Sequence, residues 1–488
     1  MKKVYTIAML ALTIFSLNCS SQDWVELGDP VEGSLYHEEF GSSLACNGDG
    51  LVIAVGNPYN DDMAIDGGMV KAFQYREGSW VQMGDDFYEA TNNAHTGWSV
   101  ALNSTGDLLA IGIPANSGGY VKVFLFDGSD WSQKGSTIAG GFPSYGKAIS
   151  LSADGGTMAV SDMGFDDNRG KVQIFKFDAT EQDWVLNGEA FGGYHYEYFG
   201  TSISLSDDGT ILAGGAPEYS GATGRVKVFE NTEAGWIQAT GISGETSHLY
   251  FGKSVSLSED GSRMAVGSYG YIANSVGSSG RTQVFESIEN EWIQVGDDII
   301  AESGGDRAGY SVSIADKGSR VAIGAPANDG ATGDWTGQVR IYDFDGSLWS
   351  QVGKDIDGES GGNYFGQTVS LSGNGLILAA SEIYYDGVEE QSGRVRILEY
   401  VKPLGASSTS PVLIKVYPNP ACDFLNIQST DGAVSDLEII DITGKSVMIV
   451  DMPESGVPVD ISHLEAGVYI IRLAVHDQPQ TYKFIISR

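Results

Sequence analysis

Three cysteines, Cys19, Cys46 and Cys422, in a chain of 488 residues cannot form a disulfide framework, so stability has to come from packing. Basic side chains are also scarce, 28 lysines and arginines against 64 acidic residues, for a formal charge of -36. A surface of that sign repels phosphate backbones and anionic membranes, so nucleic acid is not an expected partner. It serves solubility, or it draws cations or a basic partner. No stretch beyond the first twenty residues is long and apolar enough to span a bilayer as a helix. The HExxH and CxxC patterns of common metal and redox sites are absent. Gly252-Lys253-Ser254 and Gly444-Lys445-Ser446 look like the end of a phosphate-binding loop. The earlier glycine is missing, however, with Ser247 and Ile439 in its place, and both lie in strand–turn contexts.

What the chain has in quantity is glycine, 66 residues without a collagen period, and 42% hydrophobic residues. Many tight turns around real cores describe an all-β repeat protein. Residues 1–21 carry a basic start and an apolar run from Ala8 to Leu17, which is a secretory signal peptide with cleavage expected near Ser21 and Gln22. Lipid attachment at Cys19 is the alternative, which Asn18 fits poorly.

From residue 24 to 400 a pattern recurs around a glycine, at Gly41, Gly97, Gly146, Gly200, Gly252, Gly309 and Gly366; by subtraction the spacings run from 49 to 57 residues. Each copy begins with an alternating segment such as Ser202-Ile203-Ser204-Leu205 and turns at a glycine preceded by Asp or Asn in five copies, as at Asp208-Gly209, and by Thr105 and Lys317 in the other two. A nearly continuous apolar strand follows, such as Ile211–Ala216. After a loop of variable length come a third strand and a fourth that starts near a tryptophan: Trp80, Trp131, Trp184, Trp236, Trp292 and Trp349. Four antiparallel strands per copy make one propeller blade. The last copy lacks its tryptophan strand, and the first is preceded by an orphan, Trp24-Val25-Glu26-Leu27-Gly28-Asp29, that reads like Trp292-Ile293-Gln294-Val295-Gly296-Asp297. The expected fold is therefore a seven-bladed β-propeller over residues 22–401, its ring closed by the N-terminal strand. A linker over 402–412 and a small Ig-like β-sandwich over 413–488 follow.

The register tryptophans are read as packing anchors, and Trp98 and Trp335 stand outside that register. Loops leading into the first strands share one face with the variable loops between second and third strands, and that face is the expected binding face. Trp335, Tyr198, Tyr250 and Tyr364 are its candidate contact residues. His37, His95, His195 and His248 fall in the same lead-in loops. Blades hold those loops apart, so no metal site is expected from them. The acid clusters Asp61-Asp62-Asp66 and Asp166-Asp167 are read as solvated loop residues.

Phe199-Gly200 with Gly215-Ala216-Pro217, echoed by Gly324-Ala325-Pro326 and more loosely by Gly56-Asn57-Pro58 and Gly112-Ile113-Pro114, resembles the FG-GAP repeat of integrin α-subunit propellers. The resemblance implies an extracellular binding propeller. Calcium-binding members carry a long Asp-rich loop between the first two strands. Here that place holds short turns such as Ser206-Asp207-Asp208-Gly209-Thr210, which cannot supply the roughly 6–8 oxygens calcium needs, so the calcium sites are not carried over; no cofactor is evident, and Ca²⁺ stays the candidate the resemblance leaves open. The C-terminal segment is similar to the sorting domain of type IX secretion substrates of Bacteroidetes. The matching stretches are Tyr417-Pro418-Asn419-Pro420, Asp441-Ile442-Thr443-Gly444-Lys445 and Leu464-Glu465-Ala466-Gly467-Val468-Tyr469. That likeness implies export through the inner and outer membranes and the type IX machinery as partner, with Pro418, Asn419, Pro420, Gly444, Gly467 and Tyr469 as motif residues.

The function expected from these readings is a secreted or cell-surface binding or adhesion protein, non-catalytic, recognising a protein or glycan. The alternatives are an extracellular polysaccharide hydrolase or lyase with carboxylates in the propeller funnel, and a stalk or matrix component.

Overall fold

The computed structural model describes residues 23–401 except 117, 274–276 and 290, together with 414–417, 421, 424–429, 434–441, 445–450, 459–464, 466–475 and 478–487. The signal peptide, the linker, and Pro418, Asn419, Pro420 and Gly444 lie outside the described residues. The chain divides into two compact units, Met1–Lys402 and Pro403–Arg488.

In the first unit the strands form seven separate antiparallel sheets. We number them in chain order: sheet 1 spans 43–82, sheet 2 99–133, sheet 3 145–191, sheet 4 203–243, sheet 5 254–294, sheet 6 311–351 and sheet 7 369–401. The four strands of a sheet are called a to d. Sheet 4, for example, is Ile203–Leu205, Ile211–Ala216, Arg225–Thr232 and Gly235–Ser243. Sheet 7 takes its strand d from the other end of the chain, where Asp23–Glu26 pairs antiparallel with Arg394–Val401, Trp24 opposite Tyr400. No sheet is closed on itself by its own strand pairing.

Strand b is apolar because both of its faces are covered. Every residue of Val52–Asn57, Leu108–Ile113 and Thr157–Asp162 is buried, and each full-sized aliphatic side chain so buried contributes ~1.5–3 kcal/mol. The turn from a to b is tight. In sheet 1 the Gly50 amide donates to Asn47 O and Gly50 takes φ 78, a conformation glycine adopts cheaply.

The aromatic-glycine pair at the head of strand a has a packing reason. Phe40, Phe199, Phe251 and Phe365 are at most 1% exposed. The glycine after each meets a small residue of the preceding sheet: a Cβ on Gly215 would overlap Gly252 O, and one on Gly267 would overlap Gly309 O. This close approach lets a strand-a hydroxyl bridge to the next sheet. Ser43 Oγ donates to Gly97 O, Ser99 to Gly146, Ser202 to Gly252, Ser254 to Gly309 and Ser311 to Gly366, at 2.7–3.0 Å. Thr368 Oγ1 of sheet 7 donates to Gly41 O of sheet 1 at 2.9 Å. The rung from sheet 3 to sheet 4 lacks its hydroxyl, because Ala148 occupies the position.

At the a–b turns a second set of bonds runs between sheets through backbone alone. The amides of Gly48, Ser104, Ala153, Asp207, Glu259, Asp316 and Gly373 each donate to the carbonyl of the next residue in that order, and Gly373 N donates to Gly48 O. The seven bonds, 2.8–3.0 Å long, form a complete circuit. On the outer side the indole NH of a strand-d tryptophan donates to the preceding sheet: Trp80 to Leu27 O, Trp131 to Met83 O, Trp184 to Lys134 O, Trp349 to Val295 O and Trp24 to Val352 O.

In the second unit, Ile414–Tyr417, Phe424–Ser429 and Val459–Asp460 form one sheet, and Ser446–Val450, Val434–Asp441, Gly467–Val475 and Gln478–Ile486 another. Leu425, Leu437, Ile439, Ile461, Tyr469, Ile471 and Ile486 make a common core.

Candidate functional site

All seven a strands line one cavity of about 450 Å³, at the end where the lead-in loops lie. Its wall is built by register. The residue directly after each repeat glycine faces it: Ser42, Trp98, Lys147, Thr201, Lys253, Tyr310 and Gln367, in sheets 1 to 7. The lead-in loops hold the rim in a conformation side chains rarely adopt. Glu39, His95, Tyr198, Tyr250, Arg307 and Tyr364, each two residues before a repeat glycine, have φ between 52 and 61. Buried acids beneath them secure the backbone. Glu38 accepts from Leu35 N, Asn57 Nδ2 and Asn60 Nδ2, Glu197 from Gly193 N and Lys227 Nζ, and Asp306 from Ser303 N. Parallel bridges tie Gly68 to Thr96, Gly224 to Phe251, Gly280 to Ala308 and Gly337 to Phe365, so the loops before strand c and the next lead-in loop share one face.

Three of the four candidate aromatics join clusters here. Tyr250 stacks on Tyr269 at 4.7 Å, and Tyr269 meets Tyr310 on the cavity wall at 5.6 Å. Trp335, 54% exposed, lies 5.9 Å from Tyr364, which packs edge-on against Tyr384 at 5.3 Å. Tyr384 hydrogen-bonds Glu39, and burial, then that carboxylate, push its phenol up to about 12. The ring of Tyr198 pairs with no other aromatic among the described residues; its carbonyl accepts from the amide and hydroxyl of Thr201.

Lys147 and Tyr310 were not singled out from the sequence, Trp98 only as a tryptophan outside the register and Lys253 only in Gly252-Lys253-Ser254. Trp98 meets Tyr59 at 6.2 Å and His95 at 5.9 Å. The Lys147 ammonium lies 4.4 Å from the Trp98 ring, and that of Lys253 4.9 Å from the Tyr310 ring. Burial alone lowers the Lys147 pKa. Lys122, Lys171 and Lys227, by contrast, each pair with a glutamate. The funnel was expected to hold carboxylates if it held chemistry. The cavity lined by the a strands includes two lysines, because the residue after the repeat glycine is lysine in sheets 3 and 5.

Carboxylates sit at the other end, in a crevice of about 140 Å³ at the backbone circuit, lined by Asp207 and Asp316 with Asn47, Asn103 and Gly373 among others. Burial, then the charges of Asp316 and Glu259, raise Asp207 to about 6, and burial and Glu259 raise Asp316.

The four lead-in histidines stay in separate loops. His95 Nδ1 is 3.3 Å from Pro58 O and His195 Nδ1 is 4.0 Å from Asp167. Among the described residues no group of three or more His, Cys, Asp or Glu side chains is placed to hold a metal ion. Asp61 and Asp208 are engaged in their own turns, accepting from Asp66 N and from Ser206 Oγ and Thr210 N. Of the sorting residues, Gly467 pairs opposite Ile486, and Tyr469, in the core, opposite Phe484.

Residues 415–487 match the family described as the secretion system C-terminal sorting domain. The second unit is thus a type IX sorting domain, which engages that secretion machinery and directs export to the cell surface or beyond. Among solved structures, a chain of hydrazine synthase from Kuenenia stuttgartiensis is similar, with 14% identity over 70% of this chain and 92% of that one and a TM-score of 0.48. No curated protein matches the sequence. No helix among the described residues is long and apolar enough to cross a membrane.

Proposed function

We propose that the first unit is a seven-bladed β-propeller, its ring closed by Asp23–Glu26, and that it serves as a non-catalytic binding protein for a glycan or protein outside the cell. The observation carrying this reading is the cavity to which all seven a strands contribute, whose wall bears Trp98 and Tyr310, with Tyr250 and Tyr364 in the lead-in loops. The circuit of seven backbone bonds and the Thr368–Gly41 rung support ring closure. The FG-GAP resemblance of the repeats, with its two glycines meeting across sheet boundaries, supports the extracellular binding role, and the sorting tail supports a Bacteroidetes origin.

Asp207 and Asp316 favour the alternative, a polysaccharide-acting hydrolase or lyase, since a raised carboxylate can act as a general acid. Space weighs against it: about 140 Å³ around those acids falls short of the ~300–1,000 Å³ of ordinary ligand sites. Glycan and protein arrays probed with the exported chain test the choice. Binding weakened about tenfold by Tyr250→Ala or Trp335→Ala is expected, as for loss of an aromatic contact. Turnover of a bound polysaccharide, abolished by Asp207→Asn, would replace the binding reading with the enzymatic one.

A further inference from the structure

We infer that the cavity mouth binds a short acidic saccharide end-on, its carboxylate or sulfate held between Lys147 and Lys253. The inference rests on the binding reading above and names its ligand class.

Five neighbouring sheets present, in order, Trp98, Lys147, Thr201, Lys253 and Tyr310 to the cavity. The two lysines flank the threonine, and each lies over the aromatic ring on its outer side. A partly buried ammonium without a counter-charge is costly, and partners for it are plentiful in a chain with 64 acidic residues. Lys122, Lys171 and Lys227 have them; Arg320 has Asp343, and Arg394 has Glu382. Among the described residues the ammonium groups of Lys147 and Lys253 meet ring faces only, which hold a cation while leaving its N–H groups free for an anion. Hydroxyl and amide side chains at Ser42, Thr201 and Gln367 complete the wall, matching the hydroxyls of a sugar, and Trp98 and Tyr310 offer faces for its ring.

The shape and field of the molecule select the form of the ligand. The overall charge of -36 opposes a long polyanion lying across the surface. A chain end or short oligosaccharide enters the cavity, where charges are screened from the exterior within ~8 Å at physiological salt. Asp207 and Asp316 at the far end repel an anion and leave the two lysines as its place of rest. An acidic peptide would satisfy the ammonium groups without using the ring faces and hydroxyls.

The test is calorimetric titration of the full exported chain with trisaccharides of uronic acids, a sulfated trisaccharide, a neutral trisaccharide of the same linkage and a tri-aspartate peptide. Binding of the uronate or the sulfated sugar, with the neutral sugar and the peptide at least about tenfold weaker, is expected, and the two arms tell carboxylate from sulfate. Lys147→Gln and Lys253→Gln should each weaken it about tenfold, the loss of one charge-assisted bond, while Lys147→Arg retains it. No binding of either acidic sugar, equal binding of the neutral sugar or the peptide, or indifference to both glutamine variants overturns the inference. Neutral-glycan or protein binding through the rim aromatics in that case still leaves the broader binding function standing.

Discussion

Replacing Trp24 by alanine measures how far the two ends of the chain depend on each other. Trp24 is 6% exposed and belongs to a core with Val339, Ile341, Phe365 and Leu398. Its ring is 5.4 Å from Tyr400, and its indole NH donates to Val352 O at 3.3 Å in sheet 6. Truncating a buried tryptophan costs ~3–5 kcal/mol, and the stranded carbonyl is part of that sum. Against a total of ~5–15 kcal/mol for a folded domain, the loss is a large fraction. The internal control is Trp131→Ala in sheet 2, where the same indole donates to Met83 O at 2.8 Å but the ring is only partly buried. If residues 23–26 are an integral strand of sheet 7, Trp24→Ala costs at least as much as Trp131→Ala. Urea unfolding followed by far-UV circular dichroism gives both values. A loss under ~1 kcal/mol for Trp24→Ala, beside a full loss for Trp131→Ala, would show that the array stands without its N-terminal strand and refute the closure argument.

Ala148→Thr should restore the missing rung toward Gly200 O, copying the Thr368 and Ser381 pair of sheet 7, and raise stability by ~0.5–1.5 kcal/mol in the same assay; a destabilised variant would show that Ser161 already fills the space. Gly267→Ala places a methyl group against Gly309 O and should cost ~1–3 kcal/mol, whereas an unchanged unfolding midpoint would mean that sheets 5 and 6 are free to separate. Asp207 titrates near 6 in the folded chain, above the ordinary carboxylate value of 3.8. The folded state therefore holds a proton that the unfolded state has lost between those values, and stability falls as pH rises from about 4 to about 6. Asp207→Asn should remove that fall, raising Tm at pH 7 and leaving it unchanged at pH 3.5; parallel Tm-against-pH curves for the two proteins would exclude Asp207 as its source.

The repeat sheets were legible because each strand carries its own chemical signature. Alternation marks strand a, unbroken apolar residues mark strand b, and tryptophan marks strand d. The pairing of Asp23–Glu26 with Arg394–Val401 could be read from a single orphan tryptophan motif, since a strand without partners at one end of an array and a vacancy at the other are the same observation. The hydrogen-bond circuit through Gly48 and Gly373 could not be read this way. It runs through backbone groups, which carry no residue identity.

The rim aromatics and the cavity wall separate for a related reason. Tyr250, Tyr364 and Trp335 stand out as large residues in variable loops, where Tyr250 stacks on Tyr269 and Trp335 lies beside Tyr364. Lys147 and Lys253 look ordinary in sequence, one solvated lysine each, separated by 106 residues by subtraction. The shared register position after each repeat glycine puts both on the wall of one cavity to which all seven a strands contribute. Reading that register position down the seven copies, as Ser, Trp, Lys, Thr, Lys, Tyr and Gln, recovers a composition that no loop displays: two cations flanked by two aromatic faces in a chain where acids outnumber bases by more than two to one. In a repeat array the chemistry of a central site is written across copies rather than along any one of them, so a search for local motifs passes over it.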